Sequence, residues 1–331
     1  MTGIGGFFEI EKDLRRPEDC HPGARALSSG RGAFRAVLEW VKPQHVLVPF
    51  YTCDALLQPL RLLRIPFSFY ELDATLSPRE DLALAHGEYA VVINYFGLKS
   101  QEIFNLAKHW GRQVIIDNTQ SFFDGRAGEA YSFNSARKFF GVPDGSFLYA
   151  PEPLALDPPE NTDISMEHLL KRAAGDLPGA HQAFQAAEDR VNSEVKGMSR
   201  HSQDTLRRIP HHFARERRRL NFAQYELAFT ETNTFPARLS PGAVPFCYPL
   251  MPQMKIDRRL LHAEGIFVPT FWPELAKRKE TGFDFERRLA RDLLPLPLDH
   301  RYGPDDIGRV IEVVGSFLTP GQHSPLGSVS D

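Results

Sequence analysis

Val114-Ile115-Ile116-Asp117-Asn118-Thr119-Gln120 decides how this chain is read. An uncharged, β-branched run is a strand buried on both faces. The aspartate that ends it stands where open α/β sheets hold their ligands, at the carboxyl end of the strand. Taken alone, such an aspartate is equally a turn or helix N-cap residue. The flanking sequence favours the sheet. Strands are expected at 45–49, 66–72, 89–95, 113–117 and 146–150. Helices are expected at 32–41, 54–64 and 100–110, with apolar residues at helical spacing, such as Phe34, Val37, Leu38 and Val41. This alternation predicts a doubly wound, mainly parallel sheet.

Beyond residue 150 the rhythm changes. Prolines and acids at 151–164 read as a surface loop. A helical stretch over 166–195, interrupted near 175–179, is followed by a second over 202–229. A smaller α/β lobe is expected after residue 235, with strands at 245–250 and 266–270 and a last helix at 304–317. The expected organisation is a large domain with an N-terminal arm over 1–200, a small C-terminal domain over 201–318, and a disordered tail over 319–331.

Composition narrows the function classes. The 331 residues carry a formal net charge of -3 and are 42% hydrophobic, enough for a large core and without the basic excess of a nucleic-acid binder. Cys20, Cys53 and Cys247 are odd in number and far apart, so neither a disulfide framework nor a zinc site is expected, and no other metal site is read. No apolar run is long enough to span a bilayer, and the first residues lack the features of a signal peptide. A cytoplasmic location is the simplest expectation.

Two further segments carry chemistry. Ser28-Ser29-Gly30-Arg31-Gly32-Ala33 places small residues ahead of a helix. Free N–H groups and the positive dipole end at such a start can hold a phosphate, and Arg31 can add a charge-assisted bond. The same pattern is also an ordinary N-cap. Tyr131-Ser132-Phe133-Asn134-Ser135-Ala136-Arg137-Lys138 places a lysine after a short strand, ahead of a turn with Gly141, Pro143 and Gly145. A lysine held partly away from water can attack an aldehyde, although most lysines are simply solvated. Ser132 and Ser135 are rival phosphate ligands.

The order of these segments resembles the DegT-type sugar aminotransferases, within the fold-type-I pyridoxal phosphate (PLP) enzymes. The resemblance covers roughly residues 25–315. It rests on Ser29-Gly30-Arg31-Gly32, on Pro49-Phe50-Tyr51-Thr52-Cys53, on Asp117 with Gln120, and on Lys138 followed seven and eight residues later by Gly145 and Ser146. The sequence departs from the family pattern in placing Arg31 at a usual threonine and Cys53 at a usual ring-stacking aromatic. Val195 and Gly197 stand where an asparagine and an arginine make the family's cross-dimer contact. The resemblance implies PLP as cofactor, held as a Schiff base on Lys138. Asp117 would pair with the ring nitrogen, Gln120 would approach the ring hydroxyl, and Gly30 and its neighbours would hold the phosphate. It also implies glutamate as amino donor, a keto-sugar nucleotide as acceptor, and a homodimer. A PLP enzyme of another reaction type, such as a dehydratase, and a non-catalytic PLP-fold binding or regulatory protein are the alternatives. The basic run Arg215–Arg219 reads as a solvated helix face. Phe271-Trp272-Pro273 reads as pocket lining or as closure of a small core.

Overall fold

The computed structural model describes residues 3–318. The tail expected at 319–331 lies outside the described residues. Along the chain the elements are β1 (Ile4–Gly5), β2 (Arg25–Leu27), α1 (Gly30–Val41), β3 (His45–Pro49), α2 (Asp54–Leu62), β4 (Phe67–Tyr70), β5 (Glu88–Ile93) and α3 (Ser100–Trp110). Then come β6 (Val114–Asn118), β7 (Tyr131–Asn134), β8 (Ser146–Tyr149), α4 (Glu167–Ala173), α5 (Leu177–Arg190), α6 (Arg200–Arg208) and α7 (His211–Phe229). The chain continues through β9 (Tyr248–Leu250), α8 (Arg258–Ala263), β10 (Ile266–Phe267), α9 (Asp284–Asp292), β11 (Leu294–Leu296) and α10 (Pro304–Leu318).

Seven strands form the main sheet in the order β2-β8-β7-β6-β5-β3-β4. The block from β4 to β7 is parallel, and β8 and β2 close one edge antiparallel. Every residue of β6 is buried, as the apolar run Val114–Ile116 requires when helices cover both faces. The expected doubly wound, mainly parallel sheet is therefore present. The chain passes from β3 outward to β4 and then back across to β5. Strand order therefore reverses between β3 and β5, and in such sheets ligands bind at the carboxyl ends near a reversal of this kind.

The helices follow from local chemistry. In α1 the Ser29 side chain accepts from Gly32 N at 3.1 Å, and Ala33, Phe34, Val37 and Leu38 form its buried stripe. The single helix expected over 202–229 is two helices. Pro210 has no N–H to continue the ladder, and Ile209 ahead of it is extended, with φ -66° and ψ 137°.

The smaller C-terminal part holds the antiparallel pair β9–β11. The N-terminus reaches it, because β1 pairs in parallel with β10. From there residues 7–11 run back over the loop after Lys138. The close approach is made at Gly141, whose N–H donates to Glu11 Oε1 at 2.8 Å. A Cβ at that position would lie 1.8 Å from the Glu9 carbonyl oxygen. Gly141→Ala must therefore lift the N-terminal segment from its seat. The expected result is a destabilisation of about 1–3 kcal/mol, read as a lowered midpoint in a thermal melt. An unchanged midpoint would contradict this packing.

Candidate active site

Lys138 ends a short 3-10 turn, Ala136–Lys138, between β7 and β8. The turn is fixed from several sides. Ala136 N donates to Gly145 O at 2.9 Å, and the N–H groups of Phe139 and Phe140 return to Ala136 O. Phe139 and Phe140 are fully buried with Phe122 and Val142. Arg218 of α7 lies 4.4 Å from the Phe139 ring centroid and donates to the Pro245 and Phe246 carbonyls. The expectation that residues 215–219 form only a solvated face is thus corrected at Arg218, which is completely buried. It is drawn inward because several main-chain carbonyls converge on its guanidinium.

A cavity of about 530 Å³ surrounds the Lys138 amine, at the carboxyl ends of the sheet strands. Lys138 Nζ donates to Thr119 Oγ1 at 3.0 Å, and Thr119 N donates to Asp117 Oδ1 at 2.8 Å. Asp117 is buried at the end of β6. Burial pushes its carboxyl above the ordinary carboxylate value, against the opposing pull of Lys138 and the Thr119 hydrogen bonds. A cationic group placed against Asp117 would favour its charged form. Gln120 lines the same cavity; its Oε1 accepts from Phe96 N at 2.7 Å, which leaves the amide nitrogen for the cavity. Cys53 is another wall residue, and burial raises its thiol, so it presents a small neutral surface. His168 also lines the cavity; burial lowers its imidazole to about 4, so it is uncharged at neutral pH.

At the other end of the cavity Ser29, Gly30 and Arg31 begin α1, facing Ser135 and Arg137. Ser29 caps the Gly32 N–H, and the Gly30 and Arg31 N–H groups at the start of α1 have no intrahelical acceptor. At Gly30 a side chain would come 3.2 Å from Thr119 Cγ2 and 3.3 Å from Asn134 O. The crowding there is relieved only by the absence of a side chain.

The structure thus brings Gly30, Arg31, Cys53, Asp117, Gln120, Ser135 and Lys138 around one space. Two of the expected residues stand elsewhere. Ser132 is buried in β7 and does not line the cavity, because alternation along the strand turns Phe133 toward it and Ser132 away. Gly32 does not line it either. Its missing side chain makes room for the Glu194 carbonyl, which a Cβ would meet at 2.6 Å. Thr119, Phe7, Phe8 and Glu188 were not among the expected residues and all belong to the wall. Phe271 and Trp272 line the cavity and also pack against the core.

These residues fit a pyridine ring with a phosphate arm. A buried carboxylate, an amine and a helix N-terminus share one cavity, and the crowded position at that helix start is a glycine. No protein-family profile matches the chain, and no curated protein sequence matches it. Solved structures do. A DegT DnrJ EryC1 StrS aminotransferase from Brucella abortus superimposes with a TM-score of 0.61 at 16% identity, over 89% of this chain and 86% of that one. A putative sugar aminotransferase from Streptococcus pneumoniae, in its PMP form, gives 0.62 at 14% identity over 94% and 93%. DesI, solved in the presence of its TDP-sugar product, gives 0.59 at 16% identity over 91% and 81%. The chain therefore has the α/β fold of the PLP-type aminotransferases. It is similar to the sugar aminotransferase structures along nearly its whole length, and at these identities the likeness shows the fold.

Proposed function

We propose that this chain is a PLP-dependent aminotransferase that moves an amino group from glutamate to a keto-sugar nucleotide. The observation that carries the reading is the joint placement of the Lys138 amine, the buried Asp117 carboxylate and the α1 anion seat on one cavity. Bound there, PLP would supply the electron sink for chemistry at the carbon bearing the amine. The chain's own residues then have separate tasks. Asp117 would face the ring nitrogen and favour its protonated form. Gln120 would offer its amide nitrogen to the ring. Gly30, Arg31 and Ser135 would hold the phosphate. Lys138 would hold the aldehyde end and supply the amine that carries a proton, and the Thr119 hydroxyl, which accepts from Lys138 Nζ at 3.0 Å, orients that amine.

Phe7, Phe8, Phe246 and Phe271 give the cavity an apolar wall on the side of Lys138. Past them a second chamber of about 460 Å³ also reaches Lys138 and gives room for donor and acceptor. The TDP-sugar product present with DesI and the PMP form of the pneumococcal protein support a sugar nucleotide and a pyridoxal cofactor here. A cytoplasmic location belongs to this reading, in keeping with three free cysteines. No helix among the described residues is long and apolar enough to cross a membrane.

The test is a screen of keto-sugar nucleotides with glutamate, following 2-oxoglutarate, on protein whose visible absorption band has been recorded. Glutamate-dependent turnover of one acceptor is expected. A band without transfer to any acceptor would move the reading to another PLP reaction, such as dehydration. Absence of the band would favour a non-catalytic protein.

Two chains complete the site in this reading. Sedimentation should therefore give a homodimer. A stable monomer with full PLP occupancy would refute that part, leaving the chemistry at Lys138 untouched.

A further inference from the structure

We propose that Glu188 is a resident occupant of the anion seat at the start of α1, and that a phosphate-bearing cofactor loads by displacing it. The proposal rests on the cofactor reading above. Arg31 and Arg137 face each other across this end of the cavity. Among the described residues, each pairs with one carboxylate only, and it is the same one. Glu188 Oε1 accepts from Arg137 Nη2, and its Oε2 lies 3.9 Å from Arg31 Nη2. The Arg31 and Arg137 side chains are only 21% and 16% exposed, against 39% for Glu188. Two nearly buried guanidiniums need an anion, and in this structure the chain provides it.

A phosphate group offers the same guanidiniums more charge and three acceptor oxygens. Seated beside Glu188, it would put two anions against one pair of arginines. Like charges at that distance repel, so one must leave. Glu188 is placed to be the one that goes. It lies in the last turn of α5, which buries only Ala180 and Ala183 and packs chiefly on α4. Near the cavity α5 also places the Phe184 ring, stacked on Phe7 at 4.9 Å and edge-on to His168 at 5.6 Å, and the His181 ring, 6.4 Å from Phe7, while the Val191 carbonyl just after it accepts from Arg31 Nη1 at 2.5 Å. Rotating a half-exposed glutamate away from this end uncovers no core. Glu188 thereby sets the affinity of the site for the phosphate group, apart from any role in binding the aldehyde.

The experiment titrates the full-length protein and Glu188→Gln with PLP and, separately, with pyridoxal, which lacks the phosphate. Binding is read from the visible band, and a thermal shift with inorganic phosphate is recorded in parallel. Glu188→Gln keeps the shape and removes the charge. It is expected to bind PLP about tenfold or more tightly, to gain a larger thermal shift from inorganic phosphate, and to bind pyridoxal as the parent does. Glu188→Ala should move PLP affinity in the same direction. PLP affinity that is unchanged or weaker in both variants, with pyridoxal still bound at Lys138, overturns the proposal and leaves the cofactor reading standing. Failure of every protein to bind either aldehyde overturns both.

Discussion

Lys138→Ala is expected to abolish amino transfer and the visible band together. Among the described residues, the Lys138 amine is the one amine that lines the cavity shared with Asp117 and the start of α1. Its neighbour Arg137 cannot replace it, because a guanidinium stays protonated and forms no imine. The loss has two sources. Covalent attachment of the aldehyde disappears, and so does the group that carries the proton. A positioned acid–base residue alone contributes roughly 10²- to 10⁴-fold. Arg137→Ala should retain the band with weakened phosphate binding. Residual transfer by Lys138→Ala within about tenfold of the parent, well inside that range, would show that another residue moves the proton.

Asp117→Asn should keep part of the cofactor and lose most of the turnover. The amide preserves the shape of the β6 terminus and can still accept from Thr119 N. It cannot stabilise a protonated ring nitrogen. A hydrogen bond to a charged group is worth roughly 1.5–3 kcal/mol, or about 10- to 150-fold in rate if all of it is expressed in the transition state. Because Asp117 is buried, no solvent cation replaces the lost interaction. The check is kcat with saturating cofactor for both proteins. Equal values would remove Asp117 from the ring-nitrogen role.

The sheet and one half of the site were legible because they are local. Val114–Asn118 announces a buried strand and its carboxylate in one run of residues. Lys138 ends one short turn and Gly145 immediately precedes the strand that follows it. The choice between Ser132 and Ser135 was not legible. It depends on the phase of β7, and only the observed span Tyr131–Asn134 shows Phe133 facing the cavity. Thr119 stood in plain sight inside the deciding run, yet its task appears only when Lys138 comes within 3.0 Å of its hydroxyl. Glu188 and Phe7 could not be read at all. Their partners are brought to them by the folding of α5 and of the N-terminal segment over the sheet, and no local pattern marks those contacts. Arg218 misled for the opposite reason: five charged residues in a row look solvated, and tertiary packing buried one of them.

Borohydride reduction of the protein loaded with PLP tests the bond to Lys138 most directly. Reduction should fix the cofactor irreversibly on the peptide that contains Lys138 and on no other. An adduct on Lys99, Lys171 or any other lysine, or no adduct at all, would contradict the placement of the site.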